Sequence, residues 1–227
     1  MNSLSIPRHR YVRNTLVSLI IMLILSGCFE TIDGSGQLDT QEIDMSQIRN
    51  VSVSATGTLR ITYADHETLS ISGDDNIVAL MDIRRLDDSL VIEPHLPDVY
   101  IDPKLPMYYD LTVTSLESLT VSGEMSVEVH GIYNQGFNLA SHGILDIYLQ
   151  GQTHDMTLTQ TGISTLDATA LTVDSLDLDL TGKTDAAVSV SHQIRGSLAG
   201  LSSLTYFGGP VVDIDIKDLA SADIGHM

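Results

Sequence analysis

The sequence predicts an all-β protein, built mainly as a parallel β-solenoid (a β-helix) of about 20 residues per coil behind a less regular β-rich capping region. Three observations predict it. Stretches of the C-terminal half alternate strictly between apolar and polar residues. Apolar and glycine positions recur there on a fixed beat. No segment of that half carries a helical period.

The alternation is plainest in Leu145-Asp146-Ile147-Tyr148-Leu149, Leu176-Asp177-Leu178-Asp179-Leu180 and Val212-Asp213-Ile214-Asp215-Ile216. Successive side chains of a strand point to opposite faces, so period two marks a strand with one buried side. Glycines fall at Gly123, Gly143, Gly162 and Gly182, with gaps of 20, 19 and 20. Leu119, Leu139, Leu158, Leu178, Leu198 and Ile216 keep the same beat, as do Val127, Ile147, Leu166, Ala186, Tyr206 and Ile224, with gaps of 20, 19, 20, 20 and 18. Columns moving together make a repeat, and a short-strand unit of this length fits one coil of a β-solenoid. The aliphatic columns would stack inside, and glycine would supply a corner angle that residues with a Cβ avoid. The outward column Thr120, Ala140, Thr159, Asp179, Ala199, Lys217 avoids stacking like charges. An antiparallel sandwich or meander also yields alternating strands, but needs no fixed interior column.

Taken in chain order, residues 1–27 read as a signal peptide. Arg8, Arg10 and Arg13 form a basic flank, and Leu16 to Leu25 is apolar but for Ser18, a core too short for a comfortable permanent span. It ends in Leu25-Ser26-Gly27-Cys28, which resembles the lipobox of bacterial lipoprotein signal peptides. The resemblance implies cleavage before Cys28 and a diacylglycerol thioether on its sulfur. Cys28 is the only cysteine, so no intramolecular disulfide forms. Phe29, rather than Asp, follows it, which implies outer-membrane sorting if the host is Gram-negative. Residues 28–46 read as the lipidated cysteine and a flexible tether around Gly34-Ser35-Gly36.

The β-rich domain is expected over 47–227, with an irregular capping part at 47–115 and regular repeats at 116–227. In the first part, Val51–Ser54 and Leu59–Tyr63 read as two paired strands around Ala55-Thr56-Gly57-Thr58. Leu69-Ser70-Ile71 reads as another strand, and Asp74 or Asp75 as the cap of a short helical turn carrying Ile77, Leu80 and Met81. Leu90-Val91-Ile92 follows a turn at Asp87-Asp88-Ser89. Pro94, Pro97, Pro103 and Pro106 mark a loop before Tyr109–Val113.

Composition narrows the function. The chain is 43% apolar, which suffices for a core, but only 5% aromatic, with no Trp, so that core is aliphatic. The first 28 residues hold three arginines and no acid, leaving 8 basic against 30 acidic residues, a net −22. Such a field repels nucleic acid, which is excluded as a partner. The seven histidines beyond the signal peptide, His66, His95, His130, His142, His154, His192 and His226, form no close pair of the H-x-x-x-H kind, so no metal site is expected. No nucleophile elbow, phosphate loop or dinucleotide fingerprint is present, and Gly208-Gly209-Pro210 departs from the calcium-binding nonapeptide. No catalytic residue and no cofactor are expected. A polysaccharide-active β-helix enzyme would use carboxylate pairs such as Asp177 with Asp179, or Asp213 with Asp215. These read better as solvent faces of amphipathic strands, and only Lys183, Arg195 and Lys217 supply basic groups after residue 116.

The order of features resembles the head-GIN family, named for autotransporter-adhesin head domains and also catalogued as a domain of unknown function. The residues carrying the resemblance are Gly34-Ser35-Gly36, Val51-Ser52-Val53-Ser54-Ala55-Thr56-Gly57, Leu69-Ser70-Ile71-Ser72-Gly73-Asp74-Asp75-Asn76 and Leu119-Thr120-Val121-Ser122-Gly123 with its successors. The Ser-Gly-Ser-Gly-Asp turn of the family is reduced here to forms such as Thr161-Gly162-Ile163. The resemblance implies a β-solenoid and secretion. The expected function is an exported envelope lipoprotein, held in the membrane through Cys28, with a non-enzymatic binding or adhesion-like domain for an envelope protein or glycan. The alternatives are a structural or assembly protein of the envelope and, behind it, the glycan-active enzyme. The acidic last unit, Val211 to Met227, reads as a charged cap that discourages end-to-end stacking.

Overall fold

Period-two alternation becomes strand almost everywhere it occurs. The computed structural model describes residues 31–96 and 99–225, so the expected signal peptide at 1–27, Cys28, Phe29 and His226 lie outside the described residues. Strand accounts for 79% of the chain and helix for 2%, with no closed barrel, so the fold is all-β as the sequence predicts.

The first half is a mixed, partly antiparallel assembly. Strand β1 (Thr31–Asp33) pairs in parallel with β7 (Tyr100–Asp102) in a small separate sheet. Strand β2 (Leu38–Met45) lies antiparallel to β4 (Glu67–Asp74), which lies antiparallel to β8 (Tyr108–Val113). Residues 31–33 and 38–45 were expected as tether; they are strands instead. Backbone pairing, rather than apolar periodicity, orders Thr31–Asp33, while Ile43 and Met45 alternate to the inner side of β2. The turn expected around Gly57 is also absent. Asn50–Tyr63 runs as one strand, β3, whose first half pairs with β6 (Ser89–Pro94) and whose second half pairs with β8. Gly57 lets it pass close to a neighbour: at φ +129°, a Cβ there would lie 2.4 Å from the Met107 carbonyl oxygen. Between β4 and β5 (Met81–Leu86) lies one short helix, α1 (Asp75–Val78), which buries Ile77 and Val78.

The second half is dominated by β9 (Ser118–Gly200), 83 residues of strand interrupted by corner glycines at positive φ. Laid straight it would measure roughly 270 Å at about 3.3 Å per residue. It does not run straight, because residues one beat apart touch. The His130 ring lies 3.1 Å from Gln150 Oε1 and the His142 ring 2.6 Å from Thr161 Oγ1. The whole inner edge of β3 pairs with the start of β9, from Asn50↔Ser118 to Thr62↔His130. Beyond β9, the strands β10 (Ser203–Phe207) and β11 (Val211–Ile216) both pair with it in parallel, and β12 (Ser221–Ile224) pairs with β10.

The glycine column marks one corner of this stack. Gly123, Gly143, Gly162, Gly182 and Gly200 all have φ between +78° and +126°. A Cβ on Gly143 would fall 2.3 Å from the Gly123 carbonyl oxygen, so the rung can close on its predecessor only without a side chain. The aliphatic column is the core: Leu119, Leu158 and Leu198 are 0% exposed, Leu139 2% and Leu178 4%. Each such leucine contributes about 1.5–3 kcal/mol of burial. The stacking step is not uniform. Gly182 sits over Gly162, 20 residues on, whereas Gly196 sits over Leu178 and Gly200 over Gly182, 18 residues on. Leu204 therefore pairs with Ala186, and Tyr206 with Val188. The columns read from sequence as Leu178 then Leu198, and as Ala186 then Tyr206, are both off by two at that step, since Gly196 over Leu178 places Leu198 over Leu180. A slip of two keeps every side chain on the same face, so alternation alone does not reveal it.

Candidate functional site

The residues able to do chemistry are spread along the outside of the stack. Asp177 and Asp179, on the outward face of β9, are tied to the next rung: the Arg195 guanidinium lies 3.7 Å from Asp177, and Ser197 Oγ donates to Asp179 at 3.0 Å. Asp215 holds Lys217 at 2.8 Å, and this contact raises the lysine's pKa. Asp213 stands exposed beside it. The histidines are similarly placed. His130 contacts Gln150, Glu128 and the Tyr148 ring, while His154 lies 3.2 Å from Asp155 and 3.7 Å from Asp174. Among the described residues, no group of three or more His, Cys, Asp or Glu is arranged to hold a metal ion. The lipid-attachment candidate Cys28 lies outside the described residues.

Two carboxylates escape that pattern, and sequence reasoning missed both as site-forming groups. Glu67 opens β4 buried at 7% exposure; it accepts hydrogen bonds from the Ile48 N–H at 3.0 Å and from the Thr114 hydroxyl at 2.6 Å. Burial raises its pKa, but the bonds from Thr114 and Ile48, with the nearby Arg85 charge, outweigh burial and hold it below the usual carboxylate value. Asp74 ends the same strand at 0% exposure and accepts from the backbone N–H groups of Gly36 at 2.6 Å, Lys104 at 2.9 Å and Leu105 at 2.9 Å. Here too burial acts upward, and the three N–H groups with the Lys104 charge pull the net shift downward. Asp74 occupies the N-cap position of α1, yet its side chain makes no cap bond. It fastens the N-terminal segment and the proline loop to the sheet. These two are structural clamps rather than reactive groups.

The exposed apolar residues form the more suggestive surface. The position after each corner glycine points outward, so Ile144 and Ile163 follow one another at 55% and 53% exposure, and Leu201 at 56%. Ile144 and Ile163 line a shallow groove of about 460 Å³ with Thr56, Thr58, Glu124 and Asp146. A larger open groove of about 580 Å³ lies over β5 and β6, rimmed by Asp82, Arg84, Glu93 and His95, with Leu96 at one end. Arg84 bridges Asp82 at 3.3 Å and also contacts Glu93. Both grooves are open shelves on sheet faces, suited to an extended ligand.

The family profile described as "Putative auto-transporter adhesin, head GIN domain" matches residues 47–210, well over half of the chain. The chain belongs to the head GIN family. Several solved bacterial proteins share its architecture. An adhesin-named protein from Bacteroides fragilis superposes with a TM-score of 0.68 at 18% identity, over 85% of this chain and 99% of that one. A similarly named protein from Parabacteroides merdae gives 0.52 at 13% identity, over 87% and 100%. A Parabacteroides distasonis protein described as lipid-binding gives 0.51 at 15% identity, over 87% and 100%. At these identities the likeness establishes the fold alone. No protein with a curated description matches the chain. The described residues include no helix long and apolar enough to cross a membrane.

Proposed function

We propose that the chain is an exported envelope lipoprotein, anchored by lipid on Cys28, whose head GIN domain is a non-enzymatic binding module. In this reading the stacked strands wind as a parallel β-solenoid of about 20 residues per coil. The observation that carries the reading is the parallel stacking of the glycine and leucine columns, at steps of 18 to 20 residues. Stacking of that kind turns a short repeat into long faces with recurring exposed positions such as Ile144 and Ile163. The ligand class that fits such faces is an extended envelope protein or glycan, held by area and repetition rather than by a deep pocket. Of the carboxylates considered for glycan cleavage, Asp177 and Asp179 are tied to the next rung and Asp215 to Lys217 beside it, which favours binding over hydrolysis.

The anchor supports the reading from the other end of the chain. Cleavage before Cys28 leaves only two residues between the lipidated cysteine and β1, so the domain sits close to the bilayer it is anchored in. Several acyl chains, each contributing about 0.8 kcal/mol per buried CH₂, hold a protein stably. Intact-mass spectrometry of the protein extracted from its own membranes tests this. The expected mass lacks residues 1–27 and carries acyl groups, and the Cys28→Ala protein loses the acyl mass. A full-length or unacylated wild-type mass refutes the anchor.

A further inference from the structure

The stack ends on an open edge. Strand β11 pairs along one side with β9 and β12 along one side with β10, and among the described residues no strand pairs with their other sides. The interior column surfaces there. Ile194 and Leu198 are 0% exposed, whereas Val212 and Ile216, in register with them one rung on, are 38% and 47% exposed. Ile224 on β12 is 60% exposed. Scattered exposed aliphatics are ordinary, but a contiguous set beside unpaired backbone donors and acceptors is a template for another strand. The family match covers residues 47–210, so it stops just short of this last rung.

We propose that this edge takes up an extended segment of a partner polypeptide in which aliphatic residues alternate with Lys or Arg. The segment adds one more parallel or antiparallel strand beyond β11. Its aliphatic residues cover Val212, Ile214 and Ile216, and its basic residues lie over Asp213 and Asp215. Charge selects this occupant: Val211 to Ile224 holds Asp213, Asp215, Asp218 and Asp223 against Lys217 alone. A second copy of the chain fits worse. In antiparallel registers that overlap five residues of β11 and keep the aliphatics inside, Asp213 faces another Asp213 or Asp215, and like charges directly opposite are destabilising. Stacking onto the far end is no better, because the edge strand there, β2, carries Asp39, Glu42 and Asp44. The inference rests on the coil reading and names a partner class for it; it does not depend on the lipid at Cys28.

The test titrates the purified protein with fluorescently labelled peptides of about nine residues, long enough to span the edge. One alternates Val and Lys, one has the same composition in two blocks, and one alternates Val and Glu. The alternating Val/Lys peptide is expected to bind about ten-fold more tightly than either control, and less tightly as salt rises. Hydrogen exchange is expected to slow at the amides of residues 211–216. The Asp213→Asn/Asp215→Asn double variant is expected to lose most of that affinity; should it fold poorly, the exchange pattern of the wild type still decides. Equal binding of alternating and block peptides, protection on another face, or no binding overturns the proposal. So does a concentration-dependent dimer that protects the same amides without peptide. Any of these leaves the acylated mass of the native protein unaffected, which separates this failure from failure of the anchor.

Discussion

At the scale of single residues, the corner glycines and the two buried carboxylates carry the sharpest expectations. Gly143→Ala places a methyl 2.3 Å from the Gly123 carbonyl oxygen at φ +126°, so it is expected to destabilise the fold by about 2 kcal/mol or more in urea unfolding. A change that leaves stability intact would show that the rungs do not close there. Thr184→Val is expected to act the other way. Thr184 is 0% exposed and its hydroxyl oxygen finds no partner among the described residues, so removing it relieves an unpaired polar group and raises stability by about 1 kcal/mol. Acid sensitivity follows from Glu67 and Asp74. Both have pKa values lowered by folding, so their stabilisation is present above the ordinary carboxylate range and is lost as pH falls through the native values. Thermal melts are expected to drop on acidification below about pH 4, and less steeply in Glu67→Gln. An identical acid profile in that variant would contradict the clamp. The glycine corners were legible in the sequence because their spacing is nearly constant; Gly200 was not, since the step shortens to 18 there. Glu67 and Asp74 were illegible for another reason. An acidic residue at a strand end ordinarily reads as solvated, and the backbone N–H groups and the Thr114 hydroxyl brought from distant segments make burial tolerable.

At the scale of elements, position in the stack decides what a side chain contributes. Leu158, with rungs on both sides, is 0% exposed, and Leu158→Ala is expected to cost about 2–5 kcal/mol. Ile216 belongs to the same sequence column but is 47% exposed, so Ile216→Ala is expected to cost less than about 1 kcal/mol. Equal costs in chemical denaturation would mean that the last rung is covered in solution. The strand pattern was readable wherever one face is buried, as in β9 and β11. Pairing was less readable. Val51–Ser54 and Leu59–Tyr63 look like two strands of a hairpin because Ala-Thr-Gly-Thr separates them. In the fold each half finds its own partner, β6 or β8, and the segment stays extended. Strands β1 and β2 were hidden in an expected tether because their order comes from pairing with β7 and β4, far along the chain.

At the scale of the whole molecule, the all-β class was legible and so was the family, whereas the ligand is written in no single motif. A stack in which rungs mainly contact their neighbours offers long faces rather than a central cleft, and the proposed binding role rests on repetition along a face and on the open edge at its end. The acidic excess beyond residue 28 attracts positive charge and repels negative charge. All of this depends on one geometric claim, that each rung lies in parallel register on the last. Disulfide trapping tests it most directly, in a Cys28→Ser background. Asp185 and Ser203 are register partners whose side chains lie 2.5 Å apart, a placement suited to a bridge. The Asp185→Cys/Ser203→Cys protein is expected to form an intramolecular disulfide on mild oxidation, while Asp185→Cys/Thr205→Cys, two residues off register, is expected to resist it. Efficient trapping of the second pair and not the first would contradict the register, and with it the solenoid and the open edge.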